Sequence, residues 1–301
     1  MERDLLFGVA YYAESTWSTL EPADGVFCFD YIDKVLEAAE HEEMSVIIET
    51  PTYAIPSWLA NKAEDVMVTT KDGQANYGRR QQMNIASETF RFYAERVIRK
   101  LMEKTAHRSC VIGFQIDNET KHYGTAGLLV QKEFVEYLKH RFITTDELNR
   151  VFGLAYWSNS IASWEDFPDM SGCIHAGLSA EFEKFQRNLA SSYLEWQADI
   201  AQDGYSYGVQ PDICHLEASK CLTIAGTDIY HPTQDDLTGM EIAFCGDSIR
   251  SLKQDNYLVL ECQAQAFKYW TPYPGQLRLH AYSHLAKWCE RTYVLELAFH
   301  S

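Results

Sequence analysis

Two strand-like runs of this sequence each end in a glutamate that lies among other polar groups. The run Val111–Asp117 leads directly into Asn118 and Glu119, and the run Tyr257–Glu261 ends in Glu261. Parallel strands covered on both faces form near-continuous apolar runs, and barrels of alternating strands and helices keep their catalytic residues at the carboxyl ends of the strands. Two carboxyl groups brought to one pocket are the minimal equipment for hydrolysing a glycosidic bond.

Other readings of these residues remain open from the pattern alone. A glutamate that follows a strand is often a solvated loop residue, although loops also carry much of protein function. A metal-dependent hydrolase is a further reading, with ligands drawn from Asp117, Glu119, His122, His215 and His231. The sequence has no H-E-x-x-H motif or comparable ligand spacing, so it does not favour a metal site.

The composition sets limits on the class of protein. The 301 residues are 46% hydrophobic, which is enough for one large domain with a sizeable core. A net charge of −17 argues against a nucleic-acid partner and against an anionic membrane surface. No signal segment is visible after Met1, and no apolar run is long enough to span a bilayer.

The eight cysteines are scattered and form no C-x-x-C pair. This spacing does not indicate a zinc or redox site. Several cysteines lie inside apolar runs, where a free thiol behaves as a small hydrophobic group. We therefore predict a protein of the reducing cytoplasm that needs no cofactor.

Strand-like and helix-like patterns alternate along the chain. The predicted strands are Leu5–Tyr12, Ser45–Thr50, Val111–Asp117, Ile224–Tyr230 and Tyr257–Glu261. The predicted helices are Asp30–His41, Ser87–Lys104 with Ser87 as its N-cap, Gln131–Phe142, Asp146–Phe152 and Ala180–Gln202. The stretch Asn159–Leu178 is typical of a loop. This alternation predicts an α/β protein with a parallel sheet.

Several longer motifs occur in an order that is more specific than any one of them. They are Glu49–Leu59, Gly78–Arg80, Gly113–Glu119, Gly226–Pro232, Leu260–Gln263 and Trp270–Leu279. In this order they resemble glycoside hydrolase family 42, the β-galactosidases that carry two catalytic glutamates on a (β/α)8 barrel. The resemblance covers nearly the whole chain to about Ala286.

The resemblance implies a (β/α)8 TIM-type barrel, but only five strands are convincing and a closed barrel needs eight. Tyr12 and Glu14 stand almost together where the family has a helix and its second strand between the two motifs. A similar loss is expected near Gln202–Tyr205, and the text after Ala286 diverges from the family's last strand. We therefore expect an incomplete barrel forming one catalytic domain over residues 1–301, without the family's later domains.

The resemblance also assigns roles to the two glutamates. Glu119 corresponds to the general acid/base and Glu261 to the nucleophile. A retaining glycosidase holds these two carboxyl groups about 5–5.5 Å apart, which leaves no room for water between them in the first step. Some members of the family bind a zinc through cysteines near the acid/base loop. The residues after Glu119 include no cysteine in Thr120–Gly124, so we predict that no metal is bound there.

Five further positions match substrate-binding residues of the family: Arg80, Asn118, Trp157, Tyr230 and Trp270. The aromatic residues would stack on a sugar ring, although core packing is the commoner role of large aromatic side chains. A forked guanidinium binds two hydroxyl groups or orients a carboxylate, although most arginines lie at the surface. Asn118 would donate to the hydroxyl beside the anomeric carbon, and otherwise it would simply form a turn.

The prediction is therefore a retaining β-galactosidase-type hydrolase that acts on a β-galactoside or a small oligosaccharide. The alternative is a catalytically dead, carbohydrate-binding remnant of such an enzyme. The sequence does not distinguish galactose from arabinose or fucose. Members of the family are commonly trimers, but their trimerisation domain is absent here, so the oligomeric state stays open.

Overall fold

The computed structural model describes residues 7–10, 16–201, 204–206, 212–230, 238–262, 273–286 and 293–296. Within these residues, seven parallel strands form one sheet, and a separate two-stranded hairpin lies outside it. The strands are β1 (Phe7–Ala10), β2 (Val46–Glu49), the hairpin strands β3 (Thr69–Thr70) and β4 (Gly73–Gln74), β5 (Val111–Gln115), β6 (Gly204–Ser206), β7 (Ile224–Asp228), β8 (Tyr257–Glu261) and β9 (Tyr293–Glu296).

The strands of the large sheet follow one another as in a barrel. The order is β1-β9-β8-β7-β6-β5-β2, and every described pair in it is parallel. From β2 onward each strand of this sheet pairs with the next one along the chain, and the last strand, β9, pairs with β1. Among the described strands, β1 and β2 are the only chain neighbours of this sheet that do not pair with each other. The described sheet is thus an incomplete TIM-type arrangement that is open between β1 and β2.

The predicted strands are confirmed at five places, four of them with shorter bounds and Tyr257–Glu261 with the same bounds, but one expectation was wrong. A strand loss was expected near Gln202–Tyr205, whereas β6 lies at Gly204–Ser206 between β5 and β7. The divergent segment after Ala286 contains β9, which pairs with both β1 and β8. The opening between β1 and β2 lies where the resemblance predicts a missing second strand.

Helices connect the strands of the sheet. They are α1 (Thr16–Leu20), α2 (Asp30–His41), α3 (Ser57–Ala60), α4 (Glu88–Thr105), α5 (Leu128–Phe142), α6 (Thr145–Phe152), α7 (Ala176–Ala201), α8 (His215–Ala218), α9 (Met240–Lys253) and α10 (Gln276–Ala286). The bounds of α2 are those predicted, and Ser87 caps α4 by accepting a hydrogen bond from the Phe90 amide at 3.1 Å. The predicted loop Asn159–Leu178 contains two short 3-10 turns and the start of α7. No helix in the described ranges has both the length and the apolar character needed to cross a membrane.

The largest core cluster fixes the position of β5. The buried face of α4 presents Phe90, Val97 and Leu101, which pack with Tyr193 of α7 and with Phe114 of β5. These spacings place one apolar stripe along α4. Burying a side chain of this size contributes about 1.5–3 kcal/mol. The core therefore holds β5 firmly at the point where the chain turns into its polar carboxyl end.

Candidate active site

The turn after β5 has an unusual backbone. Asp117 has φ +53° and Glu119 has φ +46°. Left-handed conformations are uncommon for residues other than glycine and persist only where the surroundings hold them. The Thr50 hydroxyl accepts a hydrogen bond of 2.7 Å from the Asp117 amide, which fixes this turn to the end of β2. The turn ends the regular backbone of β5 before Asn118 and Glu119.

The buried carboxylate of Asp117 anchors the same turn from below. Its two oxygens accept hydrogen bonds of 2.7 Å from the hydroxyl groups of Thr52 and Thr120. Burial raises the pKa of Asp117 to about 6, although the hydrogen bonds from Thr52 and Thr120 oppose the rise. Asp117 is therefore a buried carboxyl group that supports the turn, and its protonation depends on pH.

Gln81 holds the main chain of the two residues that follow Asp117. Its amide nitrogen donates to the carbonyl oxygen of Asn118 at 2.9 Å and lies 3.3 Å from that of Glu119. Asn118 is buried, with 2% of its surface exposed, and its Oδ1 lies 3.4 Å from Nε2 of Gln115. The predicted sugar-binding amide is therefore held in place by the end of β5 and by the loop that carries Gln81.

Arg80 pairs directly with Glu119. One guanidinium nitrogen lies 3.0 Å from Oε2 of Glu119, and 55% of the Arg80 side chain is exposed, against 24% for Glu119. Arg80 therefore contacts a carboxylate, which is compatible with one of the two uses considered for it. The exposure of both groups keeps the pair within reach of a ligand that enters from solvent.

Glu261 occupies the equivalent place at the end of β8 and is largely buried, with 7% exposed. The Tyr230 hydroxyl donates to Oε2 of Glu261 at 2.6 Å. The Ile229 amide donates to the Glu261 carbonyl at 2.9 Å, so the ends of β7 and β8 are tied by the backbone as well. Tyr230, predicted as an aromatic of the sugar site, therefore contacts the second glutamate through its hydroxyl.

The charges of Glu119 and Glu261 both act on a third glutamate. Glu49 ends β2, and its pKa is raised well above its ordinary value by burial first and then by the negative charges of Glu261, Asp117 and Glu119. The charges of both predicted catalytic glutamates therefore act on one side chain. Glu119 and Glu261 thus converge on the same carboxyl end of the sheet, where parallel-strand barrels keep their reactive groups.

Two tryptophans, Trp157 and Trp270, are predicted for the site. Trp157 is 72% exposed in the short 3-10 turn Tyr156–Ser158, and its ring centroid lies 5.8 Å from that of Tyr156. Core packing was the alternative role for Trp157, and its exposure excludes that role. Trp270 lies outside the described residues.

The residues considered as metal ligands in the sequence analysis have separate contacts. Asp117 accepts from Thr52 and Thr120, Glu119 pairs with Arg80, and His122 lies 3.7 Å from Asp212. His215 lies at the start of α8, and His231 is outside the described residues. In the part of the chain that the structure describes, no group of three or more histidines, cysteines and acidic residues is placed to hold a metal ion.

Sequence reasoning missed Glu49 and the residues that support the Asp117 turn. Glu49 carries the same signal as the two predicted glutamates, because it also ends an apolar run that forms a strand. Thr50, Thr52 and Gln81 carry no such signal, since a hydroxyl or amide is ordinary in a loop. Their role follows only from the distances that the fold creates.

A family model for the β-galactosidases of glycoside hydrolase family 42 matches residues 6–293. The β-galactosidase BgaA of Clostridium cellulovorans is 24% identical over 305 residues, which cover 94% of this chain and 46% of that protein. The β-galactosidase BglY of Alicyclobacillus acidocaldarius is 31% identical over 190 residues, which cover 61% of this chain and 27% of that protein. The chain spans less than half the length of these relatives.

Solved structures share the fold. The β-galactosidase from Rahnella sp. R3 superposes with a TM-score of 0.87 at 22% identity, over 97% of this chain and 50% of that one. Gan42B, a family 42 β-galactosidase from G. stearothermophilus, superposes with a TM-score of 0.85 at 23% identity, over 94% of this chain and 45% of that one. These likenesses support a TIM-type fold for the chain.

Proposed function

The chain belongs to the β-galactosidases of glycoside hydrolase family 42, and we propose that it removes terminal β-D-galactosyl residues by a retaining, two-glutamate mechanism. The observation that carries this proposal is the placement of Glu119 and Glu261 at the carboxyl ends of β5 and β8, where the charges of both act on Glu49. A neutral sugar is the substrate class that suits a site with several carboxyl groups and one nearby arginine.

In the proposed first step, the Glu261 carboxylate attacks the anomeric carbon while Glu119 protonates the departing glycosidic oxygen. The bond between that oxygen and the anomeric carbon breaks, and a covalent galactosyl ester forms on Glu261. In the second step, Glu119 takes a proton from water, and the water oxygen displaces Glu261 with net retention. The Glu119 proton given up in the first step is thereby regained in the second.

The neighbouring side chains have distinct parts in this scheme. Tyr230 donates a hydrogen bond to Oε2 of Glu261 and thereby orients the carboxylate for attack. Arg80 holds Glu119 at 3.0 Å, and it can exchange this contact for sugar hydroxyl groups when substrate enters. Asn118, fixed by Gln81, would donate to the hydroxyl beside the anomeric carbon, a hydrogen bond that strengthens in the transition state. Trp157 and Trp270 are the proposed aromatic surfaces for the sugar.

The test is hydrolysis of p-nitrophenyl β-D-galactoside by the 301-residue chain and by its Glu119→Gln and Glu261→Gln variants. We expect turnover by the parent chain and its loss, by about a thousandfold or more, in each variant. Glu40→Gln is the matched control, because Glu40 pairs with Arg108 at the helix surface and lies outside the site. Circular dichroism of every sample establishes that each variant is folded.

Azide separates the two roles. Added azide should restore release of nitrophenol by Glu261→Gly and give a galactosyl azide of inverted configuration, because azide then replaces the nucleophile on the opposite face. The Glu119 variant should instead give an azide product of retained configuration. Unchanged turnover in either glutamine variant would contradict the role assignment. A folded parent chain that binds galactose without turnover would support the carbohydrate-binding remnant instead.

A further inference from the structure

The orientation of Glu49 follows from the pairing of β2 with β5. Ile48 pairs with Phe114 and Glu49 pairs with Gln115 in the parallel register. Phe114 and Ile48 pack in the core formed with the outer helices. Because successive residues of a strand point to opposite faces, Glu49 and Gln115 face the interior of the sheet. The Gln115 amide lies 3.4 Å from Oδ1 of Asn118, so this interior face leads to the predicted sugar site.

One carboxyl oxygen of Glu49 is shielded from solvent but is not hydrogen-bonded within the described residues. Its Oε1 is inaccessible to solvent and meets no hydrogen-bond partner among the described residues, although the residue as a whole is partly exposed. A shielded polar atom without a partner destabilises the folded state by about 1–3 kcal/mol. The unmet hydrogen-bonding capacity of Glu49 therefore favours a polar group that arrives from outside the chain.

The surrounding charges define which group that is. Two negative charges face Glu49, from Glu261 on β8 and from Asp117 after β5, and the positive charge of Arg80 opposes them. Glu119 adds a third negative charge when it has given up its proton. Burial first, and then these charges, raise the pKa of Glu49, so they favour its neutral form, which donates a hydrogen bond through its O–H. An anionic ligand would be repelled here, whereas a neutral hydroxyl group can accept a hydrogen bond from the Glu49 O–H.

Resting on the proposed function, we propose that Glu49 is a third functional carboxyl of the site, which in its protonated form donates a hydrogen bond to one hydroxyl group of the bound galactosyl residue. Glu49 is then a specificity-determining residue for the sugar that is cleaved. It takes no part in bond breaking, because Glu119 and Glu261 supply the acid and the nucleophile.

The test compares Glu49→Gln with Glu49→Leu. Glutamine keeps a neutral donor of the same length, so Glu49→Gln should retain a much larger share of the parent kcat/KM for p-nitrophenyl β-D-galactoside than Glu49→Leu. Leucine removes the donor at similar volume, so kcat/KM should fall by at least about tenfold. Urea unfolding of both variants distinguishes a lost contact from a lost fold. Equal activity of all three proteins would overturn the proposal.

Deoxygalactosides identify the hydroxyl group. Each of these substrates lacks one hydroxyl group. The parent chain should cleave the substrate that lacks the hydroxyl bound by Glu49 more slowly than the full substrate. Glu49→Leu should cleave that substrate no more slowly than the full substrate. A penalty that is the same in both proteins for every deoxy substrate would contradict a direct contact. Loss of activity in Glu119→Gln but not in Glu49→Leu would leave the proposed function standing and reject the role of Glu49.

Infrared difference spectra extend the test to a chain that shows no turnover. The spectra are recorded in a Glu119→Gln background, because the general acid is itself a protonated carboxyl group. There the carbonyl stretch of a protonated carboxyl group should appear at neutral pH, be absent when Glu49→Gln is added, and shift when D-galactose is added. Absence of the band in the Glu119→Gln chain, or a band that galactose leaves unchanged, would overturn the proposal. The Glu49→Gln variant should also gain stability over the parent chain as pH rises, because its neutral amide has no proton to lose.

Discussion

The Tyr230 hydroxyl donates a hydrogen bond to Oε2 of Glu261 across 2.6 Å. Tyr230 follows β7 and Glu261 ends β8, and a register shift between Thr227 and Asp228 marks the place where these two strands reach their carboxyl ends. The bond therefore links two adjacent strand ends and gives the Glu261 carboxylate a fixed orientation. A nucleophile that is already oriented loses less freedom when the transition state forms.

Tyr230→Phe should lower kcat for p-nitrophenyl β-D-galactoside by about 10- to 100-fold, the equivalent of one hydrogen bond to a charged group. The ring is retained, so KM should change little. Steady-state kinetics on both proteins measures the effect. Tyr282→Phe is the matched control, since Tyr282 is 64% exposed on α10. A Tyr230→Phe variant with unaltered kcat would show that the hydrogen bond does not contribute to the reaction.

Trp157→Ala should weaken substrate binding without weakening the fold. Trp157 is 72% exposed, and substitutions at such positions usually change stability by no more than about 0.5 kcal/mol. Loss of a sugar-stacking surface should raise KM by about three- to tenfold. Phe244→Ala removes a 74% exposed ring from α9 and serves as the control. If KM is unchanged for Trp157→Ala, Trp157 does not contact the sugar.

The sequence predicts well those elements whose pattern is local. The apolar stripe of α2 and the Ser87 cap of α4 are local, and both appear as predicted. β6 is three residues of Gly-Tyr-Ser, which have no apolar pattern, so its place comes only from pairing with β5 and β7. β9 does have an apolar run, but it was not predicted because its sequence differs from that of the family's last strand.

The same distinction holds within the site. Strand-end position is readable from sequence, and it places Glu119 and Glu261 at one edge of the sheet. The exposure of Trp157 is not readable, because an aromatic residue in a loop is as compatible with a core as with a surface. Thr50 and Gln81 support the turn through hydrogen bonds of 2.7 and 2.9 Å to residues that are distant in the sequence. No local sequence pattern predicts such contacts.

Gly246 of α9 should not tolerate alanine. A Cβ atom there would lie 2.6 Å from Oη of Tyr257 and 3.2 Å from Nδ1 of His284. Both neighbours are fully buried, and they share a hydrogen bond of 2.7 Å, so neither can move freely. Alanine normally stabilises a helix by up to about 1 kcal/mol relative to glycine. The overlap should reverse this sign and destabilise the protein by about 1–3 kcal/mol in urea unfolding.

A double-mutant cycle identifies the cause at Gly246. Tyr257→Phe removes the oxygen that the new methyl group would meet, so Gly246→Ala should become neutral or stabilising in that background. The control is the unfolding curve of Tyr257→Phe alone, compared with that of the parent chain. An equal loss of stability from Gly246→Ala in both backgrounds would show that the Tyr257 hydroxyl is not the obstacle.

Asp117→Asn should change how stability depends on pH. Burial raises the pKa of Asp117 from 3.8 to about 6. Between these values the folded chain keeps a proton that the unfolded chain has lost, so stability falls as pH rises through this range. The asparagine variant has no such proton. Its stability relative to the parent chain should therefore increase by about 2 kcal/mol between pH 4 and pH 7.

Urea unfolding of both proteins at several pH values measures this difference. Asparagine suits the left-handed backbone at position 117, where φ is +53°, so the turn should survive the substitution. Asp72→Asn removes one exposed negative charge and controls for the change in net charge. Repeating the pair in a Glu49→Gln background removes the titration of the neighbouring buried carboxyl group. If the stability difference between parent and Asp117→Asn is the same at pH 4 and at pH 7, Asp117 does not hold its proton in the folded state, and the buried carboxyl under the site is ionised throughout.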